Sequence, residues 1–379
     1  MKIAAIVFLL AGSAAASDEF TLYELLPPET HQFAITYDVT QDKEGADFFL
    51  NPIRPGSVST KERVIDRATG QELKFEEVTN DKGAKFIKVH LLAPVPKGAE
   101  TRIRIIKTYT DAASYYLDKN GQLVFDRPFG IKRDVVVLPK GWELIGSASP
   151  AISSTDADGR IRVSFLNDRD DQLPVKITAR RVESVSGTAV ADSFHRAEQD
   201  REIRYWLLDP ASHQFLISHD FTLTRTGQAS VHSFVRKGSV VAPDSKMIDL
   251  DTGKPLTTHL VTGKDVNALG YYPEKSPDDM AVVQGDLEHP VAEGKSTRVR
   301  VIETYTDPVG YVMDGKELLW KRTLGRPLNF VTLPAGWMLT SVNTPATVTL
   351  DEEGRVKLRF TNTRNGDLAI EIRARARPR

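Results

Sequence analysis

Histidines at matching places, acidic runs beside glycines, a lysine-serine turn and tryptophans behind a proline-glycine corner are the groups in this sequence that could do chemistry. His31 and His213 close two related segments, YELLPPETHQF over residues 23–33 and YWLLDPASHQF over residues 205–215. By strand parity each histidine shares the face of Phe33 or Phe215, which puts a polar ring at the rim of a core. A zinc site would need partners. His219 lies on the face of His213, but six residues at about 3.3 Å each separate the two by about 20 Å. One ion about 2 Å from each ligand cannot bridge that gap. The counterpart of His219 in the first segment is Tyr37. A capping or turn-bonding role is preferred for His31 and His213 over a ligand or a general base, and no metal or other cofactor is assigned.

Nucleophilic catalysis finds less support. No Gly-x-Ser-x-Gly elbow occurs, and Ser147 and Ser149 fall in a strand-to-loop stretch without a recognisable acid–base partner. Gly294-Lys295-Ser296 resembles the end of a phosphate loop, but His289 stands where glycine is required and a strand follows, so it reads as a hairpin turn. The acidic runs at Asp156 to Gly159 and Asn167 to Asp171 lack the alternating ligands and distal glutamate of a calcium loop, and they too read as turns. Leu138-Pro139-Lys140-Gly141-Trp142 and Leu333-Pro334-Ala335-Gly336-Trp337 describe rigid corners. Exposed, Trp142 and Trp337 could stack on sugar rings; buried, each would anchor a strand, which is the preferred reading. Asp111 with Arg127, and Asp307 with Arg322, suggest one internal ion pair per repeat. Arg373, Arg375, Arg377 and Arg379 alternate with small or apolar residues, either as an anion-binding row or, preferred, as a charged edge strand that resists aggregation.

The elements that position these groups occur twice. Tyr23 recurs as Tyr205 at an offset of 182, and Thr108-Tyr109-Thr110-Asp111 recurs as Thr304-Tyr305-Thr306-Asp307 at an offset of 196. A period this long signals duplicated domains and not a solenoid. Phe33 to Val39 and Arg298 to Val301 alternate with a two-residue period, so each predicts a strand with one buried and one wet face. Glycine turns at Gly70, Gly121, Gly159, Gly253, Gly315 and Gly366 separate such strands. The expected fold class is all-β, with two homologous antiparallel β-sandwich domains in tandem after a signal peptide. The expected boundaries are a signal peptide over 1–16, repeat 1 over 17–182, a linker over 183–202 and repeat 2 over 203–379.

The change of offset from 182 to 196 marks about fourteen residues gained by the second repeat within residues 261–279. There Tyr271 and Tyr272 offer rigid amphipathic surface, and Asn267 and Lys275 offer polar contacts, so this surface loop is the expected binding element. The competing reading is a tolerated insertion, since doubling a loop costs only about 0.6 kcal/mol.

Pro94 to Gly98 leading into Arg102-Ile103-Arg104-Ile105, with its echo at Pro290 to Val301, resembles the turn-and-strand pattern of the β-rich N-terminal domain of zinc metallo-aminopeptidases. That resemblance implies a β-sandwich accessory fold. The family's HExxH zinc helix is absent, which argues against carrying peptidase activity across. The whole arrangement is also similar to exported bacterial proteins of tandem β-domains, to which no activity is attached.

Lys2, the apolar run from Ile3 to Leu10 and the small residues through Ala16 have the order of a secretory signal peptide, which predicts a periplasmic or secreted protein beginning near Ser17. No segment approaches the ~20 apolar residues of a spanning helix. The absence of cysteine removes disulfides, thiolate metal sites and cysteine nucleophiles. With 50 basic and 51 acidic residues, the chain has no clustered basic excess of the kind nucleic acid requires. The expectation is an exported, non-enzymatic binding or interaction protein with a protein or glycan partner. The alternatives are a hydrolase whose site is assembled at the domain interface and a structural envelope protein.

Overall fold

The computed structural model describes residues 20–169, 171–182, 198–269, 280–363 and 366–378. The expected leader, most of the expected linker, and Tyr271, Tyr272 and Lys275 lie outside them. The first half builds β1 (Phe20–Leu25), β2 (Gln32–Gln41), β3 (Phe48–Pro52), β4 (Val58–Asp66), β5 (Phe75–Thr79), β6 (Lys85–His90), β7 (Thr101–Thr110), β8 (Tyr115–Leu117), β9 (Leu123–Asp126), β10 (Arg133–Val137), β11 (Trp142–Ser147), β12 (Ile152–Thr155), β13 (Ile161–Leu166) and β14 (Lys176–Arg181). The second half builds β15 (Arg201–Leu207), β16 (Gln214–Leu223), β17 (Ser230–Val235), β18 (Val240–Val241), β19 (Lys246–Asp249), β20 (Thr257–Thr262), the short helix α1 (Asp265–Ala268), β21 (Ala281–Asp286), β22 (Thr297–Thr306), β23 (Tyr311–Asp314), β24 (Glu317–Leu324), β25 (Leu328–Thr332), β26 (Trp337–Val342), β27 (Thr347–Leu350), β28 (Val356–Thr361) and β29 (Leu368–Ala376). Strand β15 starts at Arg201, two residues before the expected start of repeat 2.

Each half folds the same three sheets. A long sheet runs β12-β13-β10-β1-β2-β7-β4 in the first copy and β27-β28-β25-β15-β16-β22 in the second, where β18 and β19 together replace β4. Pro243 lies between those two short strands, and proline cannot donate to a ladder. The smaller sheets are β11-β14-β9-β8 and β3-β6-β5, matched by β26-β29-β24-β23 and β17-β21-β20. Pairing is antiparallel except at β1 with β10 and β15 with β25, which are parallel. Alternation along a strand cannot reveal that exception, because it is silent about neighbours. Nor is β29 an edge: it pairs with β24 on one side and β26 on the other, so its arginines do not protect an edge.

The central strands β2 and β7 pair along all ten residues, a span of about 33 Å, which leaves room for both small sheets side by side on one face. Under the four-stranded sheet Phe33 meets Phe125 edge-on at 5.5 Å between ring centres, and Trp320 takes the place of Phe125 against Phe215 at 5.9 Å. Burying each such ring is worth about 1.5–3 kcal/mol. Under the three-stranded sheet the first copy buries Ile87, Val89 and Ile103 and the second buries Val231, Val283 and Val299.

The copies meet through exchanged arginines. Arg102, fully buried, donates from Nε and Nη2 to the Asp251 carboxylate at 2.9 Å each, and reaches the Ser296 hydroxyl and carbonyl at 3.1 Å. Its repeat equivalent Arg298, 1% exposed, crosses in the other direction to Glu100 at 2.9 Å and also holds Asp200. Glu100 and Ser296 are themselves equivalent positions, so the contact is reciprocal, as in an isologous dimer interface. Arg298 therefore lies on no wet face; the outward side of its strand is sealed by the other copy.

Candidate functional site

The insert sits at the tip of the β20–β21 hairpin. The first copy makes the same connection through residues 80–84, whereas the second uses residues 263–280. Helix α1 packs on β20 with Val266 buried, and Asn267 lies on this helix. On the outward side of the same sheet, His232, Gln284 and His259 form one row across β17, β21 and β20. His259 Nε2 meets the Asp286 carboxylate at 2.9 Å, the Gln284 amide donates to Asp286 at 2.8 Å, and His232 Nε2 lies 3.4 Å from the Gln284 oxygen. Burial lowers the His232 pKa below the ordinary imidazole value, against the hydrogen bond to Gln284. The Gln284 amide, with His259, holds Asp286 below the usual carboxylate range. The first copy places Leu50, Lys88 and Glu76 in this row, so the scaffold does not need two imidazoles. Such a row offers donors and acceptors to a polar ligand. Sequence reasoning passed over it, although the i, i+2 spacing of Gln284 and Asp286 would have exposed it once the hairpin register was known.

The repeated histidines lie elsewhere. His31 and His213 each close a 3-10 turn, over Pro28–Thr30 and Pro210–Ser212, in the left-handed region at φ of 54° and 57°. Each donates from Nδ1 to a backbone carbonyl, Tyr115 at 2.8 Å and Tyr311 at 2.7 Å. Those tyrosines return hydroxyl bonds to the carbonyls of Leu26 and Leu208 at 2.5 and 2.6 Å. The bond helps hold a backbone conformation that costs a non-glycine residue about 1–2 kcal/mol. Asp111 and Asp307 reach these histidines only through backbone bonds, so neither imidazole is set beside a carboxylate.

Trp142 is 6% exposed in the first core, while Trp337 is half-buried against the second. Asp111 pairs with Arg127 at 3.2 Å and Asp307 with Arg322 at 3.7 Å. Arg127 sits among Tyr23, Phe33 and Tyr109, and Arg322 among Tyr205, Phe215 and Tyr305, each 5–6 Å from the ring centres. The acidic run at Asp156 turns between β12 and β13 with its carboxylate held by Arg162, and Ser296 of the lysine-serine turn serves the copy junction. Arg373 and Arg375 are paired with Asp314, Glu317 and Glu371.

A cavity of about 200 Å³ opens beside the junction, lined by Phe20, Asp38, Arg67, Arg104, Arg133, Glu198 and Asp200. Its charges answer one another: Asp38 takes Arg104 at 2.7 and 2.8 Å and Arg67 at 3.3 Å, and Asp200 faces Arg133 at 3.7 Å. Burial alone would raise the Asp200 pKa, but Arg298 and Arg133 outweigh it and hold the carboxyl far below its usual range. Among the described residues no group of three histidines, aspartates or glutamates is placed to hold a metal, and no helix is long and apolar enough to cross a membrane.

No family model matches the chain, and no curated protein matches it. Among solved structures it shows a weak resemblance to the β-domain of M1 zinc aminopeptidases and to other β-rich proteins. It is similar to an M1 zinc metallopeptidase from Deinococcus radiodurans (12% identity, 42% of this chain and 40% of that one, TM-score 0.31). It is also similar to an aminopeptidase N family protein from Idiomarina loihiensis (12%, 42% and 29%, TM-score 0.28). A putative nutrient binding protein from Legionella pneumophila matches at 11% identity over 45% of this chain and 65% of that one, with TM-score 0.26. The match spans about two fifths of the length of the Deinococcus chain.

Proposed function

We propose that this is an exported, non-enzymatic binding protein whose second copy makes the specific contact with a protein or glycan partner. The observation that supports it is the comparison between copies. The three-stranded sheets correspond strand for strand, yet only β20–β21 carries a long insert, beside an outward row of imidazole, amide and carboxylate groups. The reciprocal arginines make the two copies one platform for that loop. A hydrolase site between the copies is the less supported reading, because Arg102, Arg298 and their acids occupy the junction.

The test keeps Val266, whose burial means that excising the whole insert would also disturb the sheet. Asn267→Ala, Tyr271→Ala, Tyr272→Ala and His259→Ala are combined in one full-length chain. This chain and the wild type are compared on a glycan array and by quantitative recovery from an envelope extract. A glycan or protein retained by the wild type and lost by the folded variant supports the reading. Identical profiles from two folded proteins reject it.

A further inference from the structure

We propose that the outward face of the second copy's long sheet, centred on Phe330, binds an anionic ligand through phosphate or carboxylate groups. Phe330 is 4% exposed and four cations surround its ring. Lys357 Nζ lies 5.1 Å from the ring centre, the Arg359 and Arg204 guanidiniums 5.4 and 5.6 Å, and Lys132 Nζ 5.8 Å. Arg204 and Lys132 share the carboxylate of Glu202, while Arg359 donates to the carbonyls of Asp168 and Arg169 at 2.8 and 3.0 Å. Lys357 is half-buried among the other three cations, and burial and their repulsion lower its pKa against the attraction of Glu202. An arriving anion would relieve that repulsion.

The first copy is the internal control. In the second copy Arg204, Phe330 and Arg359 pair side by side across β15, β25 and β28. In the first, Leu22, Val135 and Ser164 occupy the same register across β1, β10 and β13. There Phe20, Leu22 and Leu166 pack on Val135 and Val137, with Arg133 over the Phe20 ring. The equivalent of Lys357 is Arg162, which is neutralised by a two-toothed pairing with Asp156 at 2.8 and 3.1 Å. In the second copy the equivalent acid, Asp351, is taken instead by Arg355 at 2.7 Å. The acid Glu24 has also become Trp206, a half-buried aromatic in the next row. At the same register the second copy gains the acid Glu202 where the first has Phe20 and has Leu328 where the first has Arg133, and around the ring it exchanges two neutral residues for arginine and an acid for tryptophan.

The experiment is calorimetric titration of the full chain at low and moderate salt with inorganic pyrophosphate and, separately, tetragalacturonate. Binding of the first assigns phosphate and of the second carboxylate, with affinity falling as salt rises. Lys357→Gln and Arg359→Gln should each weaken binding at least tenfold, and Arg375→Gln, on the other sheet, by less than twofold. Saturating ligand should also raise the Lys357 titration midpoint, followed by NMR of the side-chain ammonium. Lys357→Gln removes repulsion, so its thermal midpoint should hold or rise. No binding of either probe, equal weakening by Arg375→Gln, or a marked loss of stability in Lys357→Gln would each overturn the proposal.

Discussion

Replacing Arg102 with methionine tests the copy junction directly. The side chain is fully buried and makes two bonds to Asp251 at 2.9 Å and two to Ser296 at 3.1 Å. Removing one member of a buried ion pair costs about 3–5 kcal/mol, because the partner is left charged and unanswered. Asp251 retains the Arg298 backbone amide at 3.1 Å, which argues for the lower end, about 3 kcal/mol. Against a total of about 5–15 kcal/mol for a domain, that is a large loss. Combining Arg102→Met with Asp251→Leu should recover most of it, since an apolar pair of similar volume often replaces a buried salt bridge without penalty. Urea unfolding followed by tryptophan fluorescence and by circular dichroism would read both effects. The single variant should separate one transition into two as the copies uncouple. A shift worth less than about 1 kcal/mol for Arg102→Met would refute the claim that these arginines join the copies.

Two further outcomes are expected. Gly253 has φ of +72°, and a Cβ built there would lie 2.7 Å from the carbonyl oxygen of Lys97 in the other copy; Gly253→Ala should therefore cost the full chain about 2 kcal/mol, the second copy expressed alone only the backbone part of about 1 kcal/mol, and the first copy alone nothing. Burial pushes the Glu303 carboxyl up to about 7 from an ordinary 4.5, so the folded state holds a proton that the unfolded state releases, and stability should fall between pH 4.5 and 7; Glu303→Gln should flatten that slope by an amount on the order of 3 kcal/mol, and an unchanged profile would contradict it.

What the sequence made legible was whatever both copies retained. Matching offsets placed the histidine turns, the tryptophan corners and the central strands in both copies, and Asp111 with Arg127 could be paired because Asp307 and Arg322 recur at the same relation. The position of the insert followed from one change of offset. What stayed hidden depended on neighbours that no local pattern names. Alternation placed Arg298 outward, but only the docked second copy turns outward into buried. The arginines of β29 looked like an edge because the tryptophan corner that begins β26 gives no hint that β26 folds back beside them. The His232, Gln284 and His259 row spans three strands separated by long loops, so its members are adjacent only after the register is set.

Divergence between the copies separates fold from function more sharply than either copy alone, but only when burial is considered with it. Lys107 and Glu303 are equivalent positions on β7 and β22, opposite in charge and both buried. Each has its own adapted partner, since Lys107 donates to Asn51 while Glu303 accepts from Ser233, the residue equivalent to Asn51. Burial lowers the lysine to about 8, just as it raises the glutamate. This is compensated drift inside each copy, where a buried polar group is tolerated once its partner changes with it. The exchange of Leu22, Val135 and Ser164 for Arg204, Phe330 and Arg359 differs in kind: it adds charge on a half-open face and releases Lys357 from the acid that answers Arg162. With Lys132 contributed by the first copy, four cations surround Phe330 with Glu202 between two of them, and positive potential of that kind is what an anion recognises.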